Sequence, residues 1–446
     1  MSRDPNEKLR QLLAVADWTR EGLARAVNAV AAESGRTLTY DRTSVSHWLR
    51  GATPRGETPL YIAEALSRRL GRVVTPDEAG FTGPATRKST TGTDAFAALR
   101  HLARADLSSI WTGSQERRIY RRTDLEVPGW PDGLPGYSTP DRLPPAGEAL
   151  GTMISTFESV DRRFGGGHAR VALVAYLAED VVDVAGRATP GRTRRALCAA
   201  AATACDLAGF MSFDSHFHGL ALAYFRIAVR LAIESGDPAL YAAILRNISL
   251  QAWTLGDAGN ANRLAEAALA VGERAVRRDQ LAEFLGHAAI TRAASNRRAD
   301  ARDALAAAEH VLSGTGTDSA TFTYQRAIVL EYAGELAASQ RALAVSVKQR
   351  AAAERRSRAL TTARLAGLRI RTGQIDKAQE AVRELLDDHV WLTSARVDAA
   401  LDDLIRQLSR FRGRPSSDLL LLELRQRRRQ PAAFTLEGGN DDAVRA

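Results

Sequence analysis

The chain has 446 residues, 45% of them hydrophobic and 25% charged, enough apolar material for a large folded core. Its two cysteines exclude a disulfide-stapled scaffold and a four-cysteine zinc site. A count of 61 Lys and Arg against 52 Asp and Glu gives +9, which suits a polyanionic partner without requiring one.

Residues 1–81 read as five short helices. In the first, Leu9, Leu12, Leu13 and Ala16 recur at helical spacing. Thr19 is a plausible N-cap for a second helix carrying Leu23, Ala24, Val27 and Val30, stopped at Ser34 and Gly35. Asp41 caps a third over 42–49, ended by Gly51. Its Val45, Trp48 and Leu49 point inward, which leaves Arg42, Thr43, Ser46 and His47 outward. Leu60, Ile62, Ala63, Ala65 and Leu66 mark a fourth, and 73–81 closes the domain. The balance over 1–81 is 12 basic against 10 acidic residues, a net of +2.

The stretch 82–94 (TGPATRKSTTGTD) is small and polar and reads as a flexible linker. Residues 95–147 form a helical, then Pro- and Gly-rich connector, with six of the 15 prolines between Pro128 and Pro145. Only Pro190 and Pro238 interrupt the run from Ala146 to Arg414, so 148–430 is expected to be continuous helical structure. Cys198 and Cys205 lie seven apart on one apolar helical face, as buried reduced thiols. The tail 431–446 is expected to be disordered.

Small and apolar triplets recur in the helical region: Ala221/Phe225/Ala228, Ala261/Ala265/Ala268, Ala301/Leu305/Ala308, Ala338/Ala342/Val345 and Ala378/Val382/Leu385. Their first members are 40, 40, 37 and 40 apart, the signature of stacked helical hairpins. Turn signals precede two of the second helices, at Gly256 and Gly373, and Gly236 with Pro238 ends the first unit. Helices at 393–412 and 416–429 cap the far end.

Three resemblances bear on function. The repeat, clearest over 365–385, resembles the tetratricopeptide repeat, with a period longer than the usual 34. DRTSVSHWLRG (41–51) resembles the recognition helix of the Cro/C1-type helix-turn-helix family, and the segment from Thr19 to Ala24 looks like the start of that family's first motif helix. FESVDRRFGGGHAR (157–170) and LAGFMSFDSHFHGLALAYFRIAVRLAIESGD (207–237) resemble actinobacterial regulators that join the two modules, including Streptomyces regulators that hold back sporulation and antibiotic production. The resemblance implies an all-α chain: a lambda-repressor-like helix-turn-helix domain followed by a tetratricopeptide-like α-solenoid.

It also implies a repressor that binds double-stranded DNA as a homodimer, with the third helix in the major groove. Arg42, Thr43, Ser46 and His47 would then meet base edges, and Thr19, Arg20, Arg50, Thr53 and Arg55 phosphates. A peptide, small-molecule or protein effector would sit in the repeat groove, for which Arg246, Trp253 and Arg371 are weak candidates. The alternative is a repeat scaffold whose N-terminal domain docks another regulator.

Other motifs carry less. Gly165, Gly166 and Gly167 lack the Lys-Ser/Thr ending of a phosphate loop and read as a turn into a helix. His216 and His218 have no second ligand pair at metal-site spacing. Asp387, Asp388, Asp402, Asp403 and the RQRRR cluster (425–429) read as solvated helix faces and a helix end. No catalytic residue, metal or cofactor is expected, and so no enzyme. No run approaches 18 apolar residues and the N-terminal MSRDP lacks a secretory core, so the expected location is the cytoplasm, with no membrane contact.

Overall fold

The computed structural model describes residues 4–33, 36–81, 94–111, 119–131, 133, 145–188, 190–313, 319–411, 413 and 415–429, and among them every regular element is helical. The expected helix stop at 34–35, nearly all of the expected linker and the expected tail lie outside these residues. Contacts divide the chain into two units. One comprises Met1–Ile154 and Ala172–Val276, the other Ser155–Val171 and Arg277–Ala446.

The first unit opens with α1 (Glu7–Val15), α2 (Arg20–Glu33), α3 (Arg42–Leu49) and α4 (Thr58–Leu70). They close on Leu9, Leu23, Val27, Val45, Trp48, Ile62 and Leu66, all buried. Burying such a side chain contributes roughly 1.5–3 kcal/mol. The expected fifth helix is instead a single turn. The Phe81 N–H donates to the Pro76 carbonyl at 2.8 Å and Gly80, at φ +78°, stops it. A Cβ on Gly80 would sit 2.2 Å from the Asn6 carboxamide oxygen, which caps α1. Asn6 thus fills the space that a side chain at position 80 would take.

After α5 (Ala95–Trp111), a 3-10 turn spans Arg122–Leu125. The long α6 (Pro145–Phe164) and α7 (Gly166–Tyr176) follow, and a π-turn at Leu177–Val181 leads without a break into α8 (Val182–Gly186). Arg100 and Arg104 of α5 pair with Asp183 and Glu179 across this bend. Two hairpins complete the unit: α9 (Arg192–Asp214) with α10 (His218–Ser235), and α11 (Pro238–Thr254) with α12 (Ala258–Gly272).

Among the described residues α9 is the one helix whose length and composition would suffice to cross a membrane. Its 23 residues are long and apolar enough, with a window of mean hydropathy 1.5, but 78% of that window is buried inside the protein. Small residues let α10 pack close: a Cβ on Gly209 would sit 2.6 Å from the Phe225 ring. Cys198 and Cys205 are free and buried there, and burial pushes the Cys198 thiol up to about 12.

The second unit pairs α13 (Arg278–Ala294) with α14 (Arg298–Ser313), α15 (Ala320–Ala333) with α16 (Leu336–Gln349), and α17 (Arg355–Arg371) with α18 (Ile375–His389). It ends in α19 (Ala395–Leu408) and α20 (Pro415–Arg429), close to the expected capping helices. Within it the corner between α6 and α7 meets the loop before α19 backbone to backbone. Gly167 N–H donates to the Thr393 carbonyl at 3.0 Å, and Thr393 N–H to the Phe164 carbonyl at 2.8 Å. The glycine run is thus a turn into a helix, as expected, and also a close-packing site. Asp161 and Arg356, both buried, pair beside it at 2.6 Å.

The helical-hairpin repeats are present, and one register is corrected. On α16 the buried face is Ser339, Leu343 and Ser346, one residue on from the expected triplet, and Val345 is 47% exposed. The two serines can be buried because their hydroxyls donate to the Ala327 and Ala320 carbonyls at 2.8 and 2.7 Å. The intervals become 40, 40, 38 and 39. The same intervals separate five residues with positive φ, each two before a second helix: His216, Gly256, Asn296, Gly334 and Gly373. After each, the next N–H reaches back five residues to a helix carbonyl, as from Asp257 to Ala252 at 2.9 Å.

The acidic pairs are corrected in part. Asp388 is buried and receives both Arg358 nitrogens, at 2.7 and 2.5 Å. Asp402 receives two bonds of 2.9 Å from Arg428, one of the arginines expected at a solvated helix end. Desolvated arginines in this chain find carboxylates several turns or helices away, and local sequence does not show which.

Candidate nucleic-acid interface

Helix α3 has only eight residues, too few to persist alone, so its ends and its buried face must hold it. Asp41 supplies the N-terminal end. Its carboxylate accepts from Ser44 N–H at 2.8 Å, and the Ser44 hydroxyl reaches back to the Asp41 N–H at 3.4 Å, a capping box. The Ser44 backbone N–H, and then its hydroxyl, hold the Asp41 carboxyl below its ordinary 3.8. Val45, Trp48 and Leu49 supply the buried face, with Tyr40 edge-on to Trp48 at 5.0 Å. At the far end Gly51 takes φ +91° and the Ala52 N–H returns to the His47 carbonyl.

Arg42, Thr43 and His47 are exposed along the opposite edge, and Ser46 is half-buried between them. The Ser46 hydroxyl donates to the Arg42 carbonyl at 2.8 Å and receives Arg20 Nη1 at 3.2 Å. Two residues expected in different roles, one on bases and one on phosphate, are therefore joined. Thr19 caps α2 as expected, its hydroxyl oxygen accepting from the Gly22 N–H at 3.0 Å. Arg50, Thr53 and Arg55 are exposed on the loop after α3.

Sequence reading missed the residue that orients α3. Asn28 on α2 donates to the Tyr40 carbonyl at 2.8 Å and accepts its N–H at 3.0 Å. The Tyr40 hydroxyl then meets Thr58 of α4 at 3.0 Å. A polar residue between Val27 and Val30 on α2 was the one available signal.

A second missed feature is a charged cluster built on α4. Arg122 reaches from the 3-10 turn to Asp257 at 2.5 Å and to the Ser67 carbonyl at 2.9 Å, and its N–H donates to Glu64 at 3.1 Å. Glu64 also pairs with Arg68, which binds Glu33 through two bonds of 2.6 and 2.7 Å. Burial pushes the Glu64 carboxyl up to about 7, against the pull of Arg68. Burial also opposes the Arg68 charge, but its bonds to Glu33 and the two carboxylate charges hold its pKa above the ordinary value.

The groove candidates fall in both units. Arg246 and Trp253 lie half-buried on α11, and Arg246 donates to Asn247 at 3.2 Å while its buried Nε has no hydrogen-bond partner among the described residues. Arg371 belongs to the second unit and pairs with Glu331, which also takes Arg364 at 2.9 Å. His216 and His218 stack at 5.3 Å at a helix junction. Among the described residues there is no His, Cys, Asp and Glu cluster able to hold a metal ion.

No curated protein matches the chain. Residues 9–82 match the family model of the SP15 N-terminal domain, a span that takes in most of α1, all of α2 to α4 and the closing turn.

Proposed function

We propose that the chain is a cytoplasmic, sequence-specific DNA-binding transcription regulator, a repressor of differentiation or secondary metabolism. In this reading α2 and α3 are its helix-turn-helix, and α3 enters the major groove. Arg42, Thr43, Ser46 and His47 read bases; Thr19, Arg20, Arg50, Thr53 and Arg55 hold phosphates. The observation that carries it is the exposed edge of α3 from Arg42 to His47, stiffened at both ends and flanked by Arg20, Arg50 and Arg55. A homodimer places two such edges about 34 Å apart, one turn of duplex. The hairpin repeats, which resemble tetratricopeptide repeats, supply the dimer contact and the effector face.

Genomic footprinting followed by gel shifts of the recovered sites at low and high salt tests this. Selective binding that weakens steeply with salt is the expected result; binding to no DNA, or to all DNA equally, overturns it. The net charge of only +2 over 1–81 favours a second reading, a scaffold whose N-terminal domain docks a protein. Substituting Arg42 and His47 separates the two. DNA readout predicts lost site selectivity with folding intact, and the scaffold reading predicts unchanged partner binding.

A further inference from the structure

After the 3-10 turn that ends at Leu125, residues 126–130 (EVPGW) cross the first unit's repeats as a strap without regular secondary structure, held by backbone and side chains alike. Arg263 of α12 donates to the Leu125 carbonyl at 3.1 Å. The Tyr241 hydroxyl of α11 donates to the Pro128 carbonyl at 2.9 Å. Side chains add three contacts. Leu125 is fully buried, Asp124 meets Arg226 of α10 at 3.4 Å, and the Trp130 ring lies 5.2 Å from that of Tyr241. Glu126, Pro128 and Gly129 face solvent.

Arginine and tyrosine side chains that bond two backbone carbonyls of one segment, with one apolar anchor and one ring contact beside them, combine recognition of backbone shape with recognition of a few side chains. Proline fixes part of that shape in advance and lowers the ordering cost. We propose that this face of α10 to α12 is a peptide-binding site that the chain fills with its own residues 124–130. Its partner is an extended segment of another protein bearing an acidic residue, a leucine next to it, and a Pro-x-Trp end. The strap competes from within the chain, at an effective concentration in the millimolar range. A partner segment that displaces it also loosens the turn carrying Arg122. Neither the binding nor that loosening rests on the proposed DNA-binding function.

The test uses the full chain and a fluorescein-labelled peptide of residues 123–131 (TDLEVPGWP), followed by anisotropy without DNA. Trp130→Ala in the chain weakens the internal competitor and leaves the site intact, so it is expected to bind the peptide at least tenfold more tightly than the unsubstituted chain. Adding Tyr241→Phe or Arg263→Ala is expected to reverse that gain. Equal affinity with and without Trp130→Ala, or no effect of the second substitution, overturns the proposal. A readout independent of the variants is hydrogen exchange of the unsubstituted chain with excess peptide. Faster exchange at 122–131 supports displacement, and unchanged exchange overturns it. Light scattering supplies the remaining arm: a dimer that dissociates as peptide binds makes a second copy of the chain the occupant and overturns the partner assignment.

Discussion

Arg122 donates to Asp257 at 2.5 Å, and the two side chains are 7% and 2% exposed. The aspartate also caps α12, accepting from the Asn260 N–H. The pair joins the 3-10 turn, which Arg122 also ties to α4 through the Ser67 carbonyl, to the turn of a repeat hairpin 135 residues away. Breaking such a pair from one side leaves a charge without a partner, at about 3–5 kcal/mol. Arg122→Met should lose that much in urea unfolding. Arg122→Met with Asp257→Asn should recover a large part, because the amide still caps the helix without a net charge. Losses that simply add would show that the pair is not coupled.

Glu64 gives this junction a pH dependence. Its pKa is pushed from 4.5 to about 7 by burial. Between those values the folded chain keeps a proton that the unfolded chain has released, so stability falls as pH rises. The contribution is fully present below about pH 4.5 and lost above about pH 7, and its size is on the order of 3 kcal/mol. Unfolding midpoints should therefore drop between pH 5 and 7.5. Glu64→Gln, which cannot ionise, should flatten that slope. An unchanged slope in the variant assigns the pH effect to other groups.

In the second unit, the glycine run is tested by steric contrast. A Cβ on Gly167 would lie 2.7 Å from Thr393 Cγ2 and 3.0 Å from its carbonyl oxygen. On Gly165 it would lie 2.7 Å from that oxygen, at a backbone φ of +85° as well. Gly165→Ala should be the worse of the two, losing more than about 2 kcal/mol through overpacking and backbone strain together. The threonine methyl can rotate away from Gly167→Ala, so that loss should be smaller. Equal losses would mean that the corner moves as a whole.

Gly256 isolates the backbone effect. It has φ +79°, and among the described residues nothing lies within 4 Å of a would-be Cβ. Gly256→Ala should therefore lose only about 1 kcal/mol, by conformation alone. Gly256→Asn, the residue type that the chain places at the matching position 296, should lose less. Asparagine doing no better than alanine would contradict that reading.

These sites show what local sequence could and could not reveal. Helix α3 was legible because its cap, apolar face and stop all lie within 41–51. The repeat is legible as a period, but on α16 hydrophobicity points to Ala338/Ala342/Val345 and the buried face is Ser339, Leu343 and Ser346. Hydrophobicity ranks serine low, and only a neighbouring helix reveals the carbonyls that accept its hydroxyls. The five left-handed positions were half hidden because His216 and Asn296 stand where glycine stands elsewhere. The strap and the pair of Asp161 with Arg356 were not legible at all. Their partners lie more than 100 residues away, and no periodicity connects them.

At the proposed DNA edge, three arginines should fail in three different ways. Arg42 is exposed on the first turn of α3. In the base-reading role Arg42→Ala should cost roughly 1–3 kcal/mol on the preferred site and relax selectivity at one position, with little change on random DNA. Arg55 lies in the loop, and Arg55→Ala should weaken all sequences alike and lower the salt slope by about 1. Arg20 combines both effects, since its Nη1 donates to the Ser46 hydroxyl at 3.2 Å. Arg20→Met should lower the salt slope and also release Ser46, broadening selectivity beside the Arg42 position. Ser46→Ala alone should reproduce the broadening without the change in slope. If all four variants weaken every sequence by one common factor, α3 is not reading bases and the contact is with backbone only.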